Sequence, residues 1–139
     1  MDKATQLRNP AHPPQNMPKT HPSLLQSFEI ATNGFKTALK DERNLKIIAT
    51  IALLVTLGSF LPLFTTAERL ALIISAYTVL ALELLNTAVE KIVDLFHPGY
   101  GKEAGVIKDI AASAVWIASL GAILIGLVIA FNIINRLFF

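Results

Sequence analysis

The segment "ELLNTAVEKIVD" carries Glu83, Asn86, Glu90 and Asp94 within an otherwise apolar stretch. On an α-helix each residue advances about 100°, so with Glu83 at zero Glu90 falls near −20°, Asp94 near +20° and Asn86 near −60°. All four share one face. Glu83 and Glu90 are roughly 10 Å apart along the axis at 1.5 Å per residue, so Glu83 lies deeper in the apolar run. An ionised carboxylate among acyl chains costs about 2.5–3.5 kcal/mol even on lenient insertion scales, so such a group normally marks a site or a partner. A desolvated carboxylate suits a general base, which makes Glu83 the candidate for taking a proton from a substrate. Glu90, nearer water, suits a hard cation: Mg²⁺ takes oxygen ligands, commonly one or two carboxylates plus substrate phosphates.

Glu42 in "KDERN" stands before the first apolar run, at the depth expected for Glu90, and is the candidate second carboxylate for a shared metal. The connector "HPGYGKEAGVIKD" carries three glycines and a proline, the marks of a loop, and leads to Lys108 and Asp109. Lys108 is placed to meet a phosphate as a point charge. The loop has only the short Gly99-x-Gly101 pattern, and no Walker A sequence occurs anywhere in the chain. Cysteine is absent, which excludes thiolate metal sites and cysteine nucleophiles.

These groups must be positioned by elements built for lipid. Of the 139 residues, 53% are hydrophobic and 16% charged, outside the usual soluble range. Residues 1–22 hold five prolines among polar residues and predict a disordered tail, with His12 and His21 as solvated tail residues. Ser23 and Gln26 fit a capping box, and Leu24, Phe28, Ala31, Phe35 and Leu39 recur at helical spacing. They predict an amphipathic surface helix over 23–43, crowded at its end by charges suited to a membrane interface. Three apolar spans follow, at about 45–64, 68–95 and 109–135, the last uncharged from Ile110 to Asn135. The fold class expected is therefore all-α integral membrane, with residues 23–139 as one domain.

Lys and Arg accumulate on the cytoplasmic side of membrane proteins. Seven precede the first span, and Lys91, Lys102 and Lys108 lie between the second and third, against only Arg69 and Arg136 on the opposite side. The N-terminus and the 91–109 connector are thus expected in the cytoplasm, and the C-terminus outside. A net charge of +2 argues against a nucleic-acid partner. Small residues from Ala111 through Ser113, Ala114, Ala118 and Gly121 give the third span a face suited to close helix packing.

"ALELLNTAVEKIVDLFHPGYGKEAGVIKDIAASAV" resembles the signature region of the prokaryotic diacylglycerol kinase and undecaprenol kinase family, and the likeness runs from about residue 23 to 135. It implies a small membrane lipid kinase: a homotrimer of three-span protomers with active sites shared between protomers, using ATP and Mg²⁺ at the cytoplasmic surface. Carried onto this chain, Glu83 matches the catalytic base and Asn86 its polar neighbour. Glu90 and Glu42 match the metal-binding glutamates and so contact the nucleotide. Lys108 and Asp109 match a pair near the nucleotide, Gly99, Tyr100 and Gly101 the loop that touches it, and Asp94 a supporting acid. Ile48, Ser23 and Ile30 depart from the Gram-negative branch, which has a further glutamate and nucleotide-contacting Arg and Tyr there. "ERN" and "ELLNTA" are similar to the Gram-positive branch, which ranks undecaprenol ahead of diacylglycerol as substrate. A reading of another class is a non-catalytic membrane scaffold whose polar stripe clasps a partner helix.

Overall fold

The computed structural model describes residues 22–99 and 101–138, so the tail with His12 and His21, and Tyr100 of the connector, lie outside the described residues. The chain forms α1 (Leu24–Asp41), α2 (Arg43–Ser59), α3 (Thr66–Phe96) and α4 (Lys102–Phe138). No strand occurs among the described residues.

α1 starts at a reciprocal cap. The Gln26 amide donates to Ser23 Oγ at 3.3 Å, and the Ser23 amide donates to Gln26 Oε1 at 2.9 Å. These bonds satisfy two donors that a helix start otherwise leaves unpaired. At its other end a single residue in extended conformation, Glu42 (φ −105°, ψ 120°), closes α1 and opens α2. α1 and α2 therefore meet at one non-helical joint, and that joint is a candidate site residue.

α2 stops at Ser59, three residues before Pro62, which has no amide proton to continue a helix. The turn that follows is pinned from two helices. Arg69 of α3 donates from Nε to the Ser59 carbonyl at 2.9 Å and lies 5.0 Å from the centre of the Phe60 ring. Arg136 near the end of α4 donates to the Leu63 carbonyl at 3.1 Å and pairs with Glu68 Oε2 at 2.9 Å. Glu68 also completes a capping box with Thr65 at the start of α3. At the far end of α3 the connector passes through Gly99, whose φ of 149° is a conformation that L side chains rarely adopt.

α2 and α4 each pack along α3, and among the described residues they do not pack on each other. α1 crosses the end of the α2–α3 pair. The interior is thin: Leu45 and Ala52 of α2, Val93 of α3 and Ile129 of α4 are buried, while Trp116, Leu127 and Phe131 are more than 60% exposed. α3 and α4 are long and apolar enough to cross a bilayer, and only 6% of the apolar stretch of α4 is buried within the chain. So much uncovered apolar surface requires lipid or another chain around it. Hydroxyls along the helices are compatible with that setting because they bond to their own backbone: Thr56 to Ala52, Ser75 to Leu72, Thr78 to Ile74 and Ser119 to Val115, all at 2.7–3.0 Å.

Candidate active site

The helical stripe anticipated for α3 is turned inward at its centre. Glu83, Asn86 and Thr87 are 6%, 8% and 4% exposed in a helix whose neighbouring Leu85 is 61% exposed. Burial of the polar face and exposure of the apolar one is the reverse of a water-soluble helix. Together with Asn44 and Ile48 of α2 and Trp116 and Ser119 of α4, Glu83, Asn86 and Glu90 line a cavity of about 430 Å³.

The orientation of Asn86 follows from chemistry. An ionised carboxylate only accepts hydrogen bonds, so the amide nitrogen must face Glu90, and Nδ2 donates to Glu90 Oε1 at 3.0 Å. The amide oxygen then points away from Glu90. Among the described residues it has no hydrogen-bond partner although it is buried. A buried unpaired acceptor costs about 1–3 kcal/mol, so the site is incomplete without a donor supplied from elsewhere, such as a hydroxyl.

Glu90 and Glu42 both lie near enough for their charges to act on Glu83. Glu42 is reached by Lys91, whose Nζ is 3.2 Å from Glu42 Oε1 and 3.7 Å from Asp41 Oδ2. Lys91, on α3 beside Glu90, thus ties the α1–α2 joint to the site. Nothing in its sequence position distinguished it from an ordinary positive-side charge.

A second cavity of about 440 Å³ lies at the connector and is lined by Asp94, Gly99, Gly101, Ala104, Gly105, Lys108 and Asp109, with Val93 behind them. Lys108 is ion-paired with Asp94 across the α3–α4 connection. The candidate residues therefore fall into two groups. Glu83, Asn86 and Glu90, with Glu42 alongside, form one; Asp94, Gly99, Gly101, Lys108 and Asp109 form the other; and the two cavities share no lining residue. Asn44, Trp116 and Ser119 join the first group unannounced by sequence, although Trp116 is the chain's single tryptophan.

The donor set fits Mg²⁺. That ion is usually held by one or two carboxylates with the rest of its shell from phosphates and water. Glu90 and Glu42 would supply two carboxylates, and no group of three or more His, Cys, Asp or Glu side chains that would make an all-protein cage occurs among the described residues.

Residues 29–130 match the family model described as prokaryotic diacylglycerol kinase. A diacylglycerol kinase of Synechocystis sp. is 39% identical over 110 residues, which cover 76% of this chain and 61% of that protein. The undecaprenol kinase of Bacillus subtilis is 34% identical over 106 residues, covering 76% of this chain and 86% of the relative. A diacylglycerol kinase of Haemophilus influenzae is 33% identical over 95 residues, 68% of this chain and 80% of the relative. The chain spans about three fifths of the Synechocystis relative and four fifths or more of the other two, and the match of residues 29–130 places it in the prokaryotic diacylglycerol kinase family.

Proposed function

We propose that the protein transfers the γ-phosphoryl group of ATP to the primary hydroxyl of a membrane lipid, undecaprenol ahead of diacylglycerol. The observation that carries this reading is the buried Glu83 carboxylate, which lines one cavity with Asn86 and Glu90 and is placed to take the proton of a hydroxyl entering there. The lipid oxygen forms a bond to the γ-phosphorus, the bond from that phosphorus to the departing ADP oxygen breaks, and the hydroxyl proton passes to the Glu83 carboxylate. The hydroxyl has a single proton, which goes to Glu83, so Asn86 acts through its nitrogen, which holds Glu90 in place.

Glu90 and Glu42 are the residues that would hold Mg²⁺, which when bound with the nucleotide offsets phosphate charge. Gly99, Tyr100 and Gly101 form the loop assigned to ATP, with Lys108 and Asp109 on the adjoining turn of α4. Asp94 positions Lys108 through their ion pair. Because the two groups line separate cavities, the triphosphate must bridge them, and the remaining walls are assigned to neighbouring protomers of a homotrimer. Three spans are assigned to α2, α3 and α4, with α1 as an amphipathic helix on the cytoplasmic face of the cell membrane and the C-terminus outside.

Undecaprenol is ranked first on the "ERN" and "ELLNTA" elements and on the Bacillus relative, 86% of which is covered. Diacylglycerol is the second reading, favoured by the higher identity, 39%, to the Synechocystis protein. Transfer of labelled phosphate from ATP to each lipid by purified protein, at equal mole fraction, decides between them. A scaffold would label neither.

A further inference from the structure

Lys91 has no part in the transfer chemistry, yet its ammonium stands on a carboxylate assigned to the metal. Nζ is 3.2 Å from Glu42 Oε1 and 3.7 Å from Asp41 Oδ2. Lys91 follows Glu90 directly on α3, so it projects about 100° around the helix from Glu90 and reaches the α1–α2 joint from the flank. The joint does not need this ion pair for its shape. Ala38 and Leu45 are buried on either side of it, the Glu42 amide donates to the Ala38 carbonyl at 2.9 Å, and Lys46 Nζ donates to the Lys40 carbonyl at 3.0 Å. An ion pair whose side chains are 51% and 34% exposed adds little to the stability of a bend held in that way. What Lys91 changes is charge. Glu42, although it is the residue before α2, makes no side-chain bond to the start of that helix, so its carboxylate is left to Lys91.

A divalent cation that takes Glu42 on its own meets a like charge already in place, and must displace it or stand beside it. The same cation arriving with a triphosphate brings anionic oxygens, and the complex keeps a net negative charge that Asp41, Glu42 and Glu90 repel. An ammonium among those carboxylates is then a partner instead of a rival. Lysine suits the exchange, being a point charge with rotatable donors on a flexible stem. We infer that Lys91 makes the Glu42–Glu90 pair selective for the metal–nucleotide complex over the free cation, holding Glu42 until ATP arrives and then pairing with a phosphate oxygen. The inference rests on the proposed lipid kinase activity and adds to it a residue that sets the order of binding. Lys108 belongs to the other cavity, where it is paired with Asp94, so each group of acidic residues has a lysine of its own.

The test measures binding, without lipid and without turnover, on the full chain in detergent. Free Mn²⁺ gives an electron paramagnetic resonance signal that is lost on binding, so titration yields the affinity for Mn²⁺ alone. Equilibrium dialysis of a labelled, non-hydrolysable ATP analogue in saturating Mn²⁺ yields the affinity for the complex. Lys91→Met keeps an apolar stem and removes the charge, and Lys91→Arg keeps the charge. Lys91 is half-exposed, so neither variant disturbs packing; Lys91→Gln repeats the measurement should the methionine variant give poor yield. Lys91→Met should bind Mn²⁺ alone about fivefold more tightly and the complex about fivefold more weakly, the upper range for a partly exposed ion pair, and Lys91→Arg should restore both. A lysine that only supports the fold would move both affinities the same way or neither, and either result overturns the inference. Most of the gain for Mn²⁺ should vanish when Lys91→Met is made in a Glu42→Gln background; an undiminished gain would mean that Lys91 does not act through Glu42, and also overturns it. If no form binds Mn²⁺ with or without nucleotide, the metal assignment falls and the inference falls with it. Opposite shifts in a protein that phosphorylates neither lipid sustain the inference on binding alone and place the failure in the activity reading.

Discussion

Asn86→Leu tests the amide that joins the buried part of the stripe to Glu90. The substitution keeps the approximate shape of the side chain while removing both the donor to Glu90 and the unpaired oxygen. A hydrogen bond to a charged group contributes about 1.5–3 kcal/mol, and a buried acceptor without a partner costs about 1–3 kcal/mol. The two largely offset each other, so folding stability should change by no more than about 2 kcal/mol in either direction. Turnover should fall about 100-fold, because Glu90 loses the group that fixes its rotamer. Unfolding by SDS titration in mixed micelles gives the first quantity and initial rates with saturating ATP the second. Asn86→Ala is the control: it adds a cavity and should be less stable than the leucine variant while equally slow. A loss of stability of several kcal/mol in Asn86→Leu would show that the oxygen is bonded in the assembled protein, and undiminished turnover would remove Asn86 from the reaction.

Glu83→Gln should lower turnover by about 10²–10⁴ while leaving ATP affinity and particle size intact, and near-normal rates would take the base role from Glu83. Glu90→Gln and Glu42→Gln should each shift the Mg²⁺ titration to higher concentration, Glu90 more, because Glu42 is already partly neutralised by Lys91 at 3.2 Å; superimposable titrations would refute the shared metal. Ala114, exposed on the small-residue face of α4, should tolerate Leu within the protomer but change the particle size in detergent if that face joins protomers. α2 is 17 residues long, about 25 Å at 1.5 Å per residue, so turnover in phosphatidylcholine vesicles should be highest in bilayers thinner than about 30 Å, and a flat dependence would argue against α2 as a matched span.

What was legible in the residues was what depends on one helix at a time. The period of 3.6 put Glu83, Asn86 and Glu90 on one face, and they do line one cavity. Ser23 with Gln26 announced the start of α1, and the same pattern at Thr65 and Glu68 marks the start of α3. What depends on the angle between helices was not legible. Lys91 finds Asp41 and Glu42 only because Glu42 leaves the helical conformation and folds α1 back toward α3. Lys108, read as a charge for phosphate, meets Asp94 because the 97–101 connector sets how α4 starts against the end of α3. Trp116 and Ser119 reach the site through the register of α4 along α3, which no spacing within α4 encodes.

The length of α3 bears on where chemistry between two phases can occur. Its 31 residues span about 46 Å at 1.5 Å per residue, far more than a hydrocarbon core of about 30 Å. With the outer boundary set at Thr66, as the proposed topology has it, about 30 Å of helix ends at Asn86. Glu83 is then the last carboxylate inside the acyl region, and Glu90 and Asp94 are the first outside it. The four-residue step from Asn86 to Glu90, bridged by one hydrogen bond of 3.0 Å, is on the proposed function the interval across which a lipid hydroxyl and a nucleotide phosphate meet. A shift of α3 by one turn, about 5.4 Å, would carry Glu83 out of the acyl region or bring Glu90 to its edge. Arg69 and Arg136, at the opposite end of the molecule from the chemistry, therefore act on it by holding the depth of the helix: they anchor the turn before α3 to Ser59, Leu63 and Glu68 and prevent that slip.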